Sequence, residues 1–180
     1  MSLRSIRIYP DPVLREVARP VTRFDDELTE LVGDMVETMH AAPGIGLAAP
    51  QIGVGLRVAV VDLSVGEDPE ELLVLINPEL RAGDEREADS EGCLSIPEYT
   101  DKVIRPASVV RTASDVSGER YELEALGLLA RAIQHEIDHL DGVLFVDHLR
   151  GLRRERARRH LKRLVAKEPP ETAPTEAVAR

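Results

Sequence analysis

Residues 134–142, QHEIDHLDG, constrain this chain more than any other stretch. His135 and His139 stand four residues apart, and at 3.6 residues per turn that spacing places both imidazoles on one face of a helix. Leu129, Ile133, Ile137 and Leu140 follow the i, i+4, i+8, i+11 spacing of a core stripe. The spacing therefore predicts a helix with one face for packing and a second, beside Leu128 and Ala132, for a pocket. Gly142 is a good stop signal for it.

Two imidazoles so placed can hold one metal ion. Glu136 lies about 100° round the helix from His135, where it reaches a metal-bound water rather than the metal. This is the HExxH arrangement of metal-dependent hydrolases; the competing reading is a pair of surface histidines on a charged helix. A catalytic metal site generally takes three protein ligands and leaves one position open, so the third ligand discriminates. Gluzincin-type proteases place a glutamate about twenty residues beyond the second histidine. Here Arg158, Arg159 and His160 stand there, with Glu155 the only acid nearby. The metzincin pattern HExxHxxGxxH holds up to Gly142 and then puts Phe145 where the third histidine belongs. Cys93, flanked by Gly92, is then the best candidate, as a thiolate completing a Cys/His/His set. Its plain alternative is a small buried hydrophobe.

At 180 residues and 43% apolar content the chain suits one soluble domain, with no run near the length of about 18 apolar residues that spans a membrane. Arg4, Arg7, Asp11 and Arg15 interrupt any apolar signal core, and a single cysteine fits a reducing compartment, so an intracellular protein is expected. The absence of Trp and a net charge of −10 argue against general nucleic-acid binding. The charge is uneven, because residues 150–167 hold nine Lys or Arg against the single acid Glu155.

In chain order, Asp11-Pro12 predicts a short helix ending by Pro20. Asp25 or Asp26 then caps a longer helix with Leu28, Leu31, Val32, Met35, Val36 and Met39 as a core stripe. Residues 43–51 (PGIGLAAPQ) read either as an ordinary helix-to-strand connection or as a substrate-lining loop presenting Gln51, whose carboxamide can donate to an oxygen. Residues 56–63 and 72–77 predict two antiparallel strands, and 81–91 a solvated loop without chemistry. Two further strands are expected at 107–113 and 119–123, a short extended piece at 143–146, and a helix over 147–167. The helix would bury Leu149, Leu152, Ala157, Leu161 and Leu164 and expose arginine. Three prolines and few large apolar groups predict a disordered tail at 168–180, leaving 1–167 as one catalytic domain.

Three stretches together, GIGLAAPQ at 44–51, EGCLS at 91–95 and QHEIDH at 134–139, resemble the peptide deformylases, over about Ile6 to Lys162. The resemblance implies an α+β fold, antiparallel sheets around a central helix bearing the HExxH motif, plus a C-terminal helix. It implies removal of the N-formyl group from the N-terminal methionine of nascent proteins, with release of formate. Carried onto this sequence, the metal ligands are Cys93, His135 and His139, and Glu136 is the acid/base. Gln51 and the backbone N–H of Leu94 hold the formyl oxygen, while Ile45, Gly46, Gly92 and Leu128 line the substrate. Fe(II) is the expected metal, with Zn(II), Ni(II) or Co(II) able to substitute. Arg131 stands where some members carry an apolar residue. The basic helix at 150–167 resembles one that docks certain deformylases on the ribosome. A monomer in the bacterial cytoplasm is expected, since Ile6 falls close to the start of the domain. Competing readings are a metallopeptidase acting on unformylated substrates and a catalytically silent metal-binding interaction protein.

Overall fold

The computed structural model describes residues 2–42 and 44–167. Helix α1 (Asp26–Ala41) starts where its cap predicts, with the Asp25 carboxylate accepting the Leu28 N–H at 3.2 Å. Seven strands follow: β1 (Gly46–Ala48), β2 (Val58–Val61), β3 (Leu73–Ala82), β4 (Arg86–Cys93), β5 (Ile96–Pro106), β6 (Ser108–Ser114) and β7 (Arg120–Leu126). Two helices complete the described residues, α2 (Gly127–Leu140) and α3 (Gly151–Lys167). The strands form an antiparallel five-stranded sheet in the order β1-β2-β3-β6-β7 and a separate antiparallel ribbon of β4 and β5.

The sheet lies between helices α1 and α2. Successive side chains of a strand point to opposite faces. Val58 and Val60 accordingly pack with Met35 and Met39 of α1, while Ala59 and Val61 pack with Ile133 and Leu140 of α2. Burial on both faces explains why β2 reads as a continuous apolar run rather than an alternating one. The two methionines of α1 are core residues, fully buried. A third apolar cluster, with Ile96, Val103, Phe145, Leu149, Ala157 and Leu164, fastens the ribbon and α3 to the body. Helix α2 is thus flanked by the sheet on one side and the ribbon on the other, the architecture expected of an HExxH helix at the centre.

Several expectations need correction. Asp11 caps a single 3-10 turn, Pro12–Arg15. Residues 81–91 are not a loop: they finish β3 and make most of β4. Six of the eight β4 residues are exposed, on both faces of the strand, so no apolar alternation marks it. The piece at 143–146 is not extended, since Phe145–His148 forms a 3-10 turn. That turn delays α3 to Gly151, whose φ of +57° begins the helix after a sharp change of direction. Leu152 is exposed rather than packed. The predicted tail at 168–180 lies outside the described residues.

Candidate metal centre

Each donor comes from a different constraint on the chain. His135 and His139 stand on the buried middle of α2, their rings edge-on with centroids 5.1 Å apart. Cys93 is the last residue of β4, delivered by the ribbon to the same place. Its Sγ lies 3.2 Å from His139 Nε2, and one donor atom from each of the three residues falls within 4.8 Å of the others.

A metal ligand that is an imidazole needs its second nitrogen held. For His135 that holder is Glu91, whose Oε2 lies 3.1 Å from Nδ1. A carboxylate only accepts, so Nδ1 keeps its proton, and it is the Nε2 proton that an incoming metal would displace. Glu91 is in turn gripped by Arg105, with contacts of 2.6 and 2.9 Å, and by Arg131 at 2.7 Å. Arg105 continues to Asp138 at 2.8 Å, and Asp138 to His148 at 2.7 Å. Beneath His135 the Phe145 ring stacks at 6.0 Å, so the position that a metzincin gives to its third histidine supplies packing instead.

The ionisation of the helix groups is pulled apart by these surroundings. Burial works against a charged His135, but its hydrogen bonds to Cys93 and Glu91 prevail and push it up to about 10. Burial, and then the positive His135, drive His139 well below the ordinary histidine value. Holding an ion with both rings therefore displaces a proton. Burial raises the Glu136 carboxyl to about 7 against the lowering charges of His135 and Arg105. Its Oε2 is buried and has no hydrogen-bond partner among the described residues. A carboxylate left open beside a thiol and two imidazoles fits a divalent transition metal carrying one water, which would give that oxygen its partner.

The centre floors a cavity of about 560 Å³. Ile45, Gly46, Gly92, Leu94 and Leu128 all line it, together with Gln51, Cys93, His135 and Glu136; His139 lies behind, almost wholly buried. Gln51 sits in a 3-10 turn after β1, its Oε1 accepting the Ala48 N–H at 2.9 Å. That bond turns its Nε2 toward Ser95 Oγ at 3.2 Å and Cys93 Sγ at 3.6 Å. Gly46 is required by close approach: a Cβ there would run into the Glu136 carboxylate. The loop at 44–51 is therefore both a strand and a cavity wall. Arg131 also belongs to that wall, held by Glu91 and by the carbonyls of Val103 at 3.0 Å and Glu87 at 3.1 Å. Sequence reading gave Glu91, Arg105, Asp138 and Phe145 no part in this. The signal available was Glu91 itself, an acid two residues before a candidate thiolate ligand.

Comparison with known proteins places the same features in a family. The family model described as polypeptide deformylase matches residues 3–155. A peptide deformylase of Acidobacterium capsulatum is 49% identical over 164 residues, covering 91% of this chain and 96% of that protein. One of Phenylobacterium zucineum is 51% identical, covering 91% and 97%. Among solved structures, a peptide deformylase from Legionella pneumophila superposes with a TM-score of 0.84 at 46% identity, covering 93% of this chain and all of that one (100%). The Plasmodium falciparum peptide deformylase gives a TM-score of 0.87 at 34% identity, covering 91% and 96%.

Proposed function

This chain belongs to the polypeptide deformylase family, and from that premise we propose how its own residues carry the reaction. The protein is a hydrolase that removes the formyl group from the N-terminal methionine of nascent peptides and releases formate. Cys93, His135 and His139 hold the metal, Fe(II) by preference, with Zn(II), Ni(II) or Co(II) able to replace it. When bound, the ion supplies Lewis acidity and a water acidified towards neutral pH. Glu136, its carboxyl raised to about 7, accepts the proton of the attacking water and passes it to the leaving amine. Gln51 Nε2, aimed at the centre by the Ala48 N–H, and the Leu94 N–H donate to the formyl oxygen as it gains negative charge. One such donor is worth about 3 kcal/mol in the transition state. A Cβ at position 46 would run into Glu136, so Gly46 keeps the wall beside the centre free of a side chain where the small formyl group would sit, while Ile45, Gly92, Leu128 and the stem of Arg131 line the substrate.

The observation that carries these roles is the convergence of three soft donors beside a buried, partnerless carboxylate on a cavity floor. The test is formate release from a formyl-methionyl peptide by protein prepared without oxygen and loaded with Fe(II), beside Glu136→Ala. Rapid release that falls by at least about a hundredfold in the variant is expected. Cleavage of an unformylated peptide without formate would assign the site to a peptidase, and metal binding without turnover to a silent relative.

Residues 1–167 act as one catalytic unit, a monomer of the bacterial cytoplasm. No helix of the described residues is long and apolar enough to cross a membrane. The arginine face of α3 contacts ribosomal RNA electrostatically. Ribosome co-sedimentation that ignores both salt and reversal of Arg156, Arg159 and Arg163 would remove that contact.

A further inference from the structure

Helix α3 has a second face, apart from its arginines. Ala157, Leu161 and Leu164 pack into the third apolar cluster, and His160 stands in the same stripe, partly buried. Its ring meets Tyr99 of the ribbon with centroids 5.0 Å apart, and its Nε2 lies 2.9 Å from the Pro97 carbonyl oxygen. A carbonyl only accepts, so Nε2 carries the N–H and donates. Beyond Tyr99 the row of rings continues through Phe145, at 6.2 Å, to the ring of His135, a further 6.0 Å on.

The segment that His160 meets is irregular. The register pairs Cys93 with Ile96 and Gly92 with Thr100, so Pro97, Glu98 and Tyr99 form a bulge with no residue opposite them. Glu98 takes a φ of +59°, a conformation that a side chain disfavours and that persists only where the surroundings impose it. All three bulge residues line the catalytic cavity. Glu98 and Thr100 are exposed, which sets this stretch at the mouth, above the buried Gln51, His135 and Glu136. Among the described residues, the bond from His160 is the one hydrogen bond that reaches the bulge from outside the ribbon. We propose that His160 is a positioning residue for the reaction: it fastens the bulge at 97–99, so that the mouth is shaped in advance for the peptide that follows the formyl-methionine. The role rests on the deformylase reading of this cavity. A mouth fixed beforehand spares the substrate the work of ordering it, so the bond should show in KM. Cys93 keeps its own pairing with Ile96, so kcat should stay.

The test follows formate release from a formyl-methionyl tetrapeptide by the Fe(II)-loaded full chain, together with amide hydrogen exchange over residues 96–100 of the same proteins. His160→Phe keeps a ring against Tyr99 and loses the donor; His160→Gln keeps a donor and loses the ring. The phenylalanine variant should raise KM roughly three- to tenfold at unchanged kcat, which corresponds to the loss of one hydrogen bond. Exchange over 96–100 should quicken by a similar factor, with thermal melts unchanged. The glutamine variant should return both readouts to near the parent. The proposal falls if His160→Phe leaves KM and exchange as they were, if it lowers kcat instead, or if His160→Gln behaves as the phenylalanine variant does. A parent that releases no formate would overturn the deformylase reading, and exchange in the two variants would then decide whether His160 fastens the mouth.

Discussion

Arg105 and Arg131, under the ribbon, and Arg111, in β6 beneath α2, are all withdrawn from solvent, at 4%, 6% and 0% exposure. Their surroundings are opposite. The first two share Glu91, and each has a further oxygen partner in Asp138 or in a backbone carbonyl. None of the three guanidinium nitrogens of Arg111 has a hydrogen-bond partner among the described residues, and its planar group rests 4.6 Å from the Tyr121 ring centroid. A buried ion pair seldom adds net stability over apolar packing, yet removing one partner is expensive. The paired arginines stand where an imidazole has to be aimed. Arg111 aims nothing, and stacking on an aromatic face offsets only part of its desolvation. Buried charge in this molecule therefore has a positional purpose in one place and none that the structure explains in the other.

The strongest way to break the contrast is Glu91→Ala, which leaves Arg105, Arg131 and His135 without their shared acceptor. A loss of about 3–5 kcal/mol in denaturant melts is expected. Metal affinity, measured against a competing chelator, should fall about 10- to 100-fold as His135 loses its holder.

Acid provides a subtler route to the same hub. Burial raises the Glu91 carboxyl, but hydrogen bonds from His135 and Arg105 and their charges overcome it and hold the group far below the usual carboxylate range. A carboxyl depressed in the folded state contributes stability that is fully present above its unfolded value, near 4.3, and is lost as pH falls toward the folded one. The melting temperature should therefore drop steeply below about pH 4. Glu91→Gln should start lower and fall less steeply; parallel acid limbs for the two proteins would remove Glu91 as the cause.

Arg131→Met is expected to cost less, about 1–3 kcal/mol, because Arg105 still pairs Glu91 while two backbone carbonyls lose a donor. Smallest of all should be Arg111→Met, neutral or stabilising by about 1 kcal/mol or more. A penalty as large as that of Arg131→Met would mean that Arg111 has a partner after all and that the contrast is false.

How much of this was legible in the sequence follows from where the apolar groups lie. Helices α1 and α2 and most of the five-stranded sheet bury apolar stripes, and their periods stand out in the residues. The ribbon does not: READSEGC in β4 has polar groups on both faces because it is held by ions and by its partner strand. Strand β1 escaped notice for another reason, being three residues long and built from Gly, Leu and Ala. The clustering of Cys93, His135 and His139 was accessible because HExxH is a local pattern and the chain has one cysteine. The hub was not, because Glu91 meets Arg105 and Arg131 across 14 and 40 positions of chain and no local pattern records such a meeting.

The separation of the ribbon from the sheet has a dynamic consequence. Its strands share backbone ladders only with each other, and the hub, the third apolar cluster and a few backbone hydrogen bonds at its two ends, such as Tyr9 N–H to the Ser95 carbonyl at 2.9 Å, bind it to α2 and the body. Amides of β4 and β5 should then exchange their hydrogens as one cooperative block, at an opening free energy below that of the sheet. Because Cys93 ends β4 while both histidines stand on α2, such an opening would carry Cys93 away from them. If Cys93 holds the ion, metal loss measured against a chelator should then keep pace with exchange in the ribbon and outrun global unfolding.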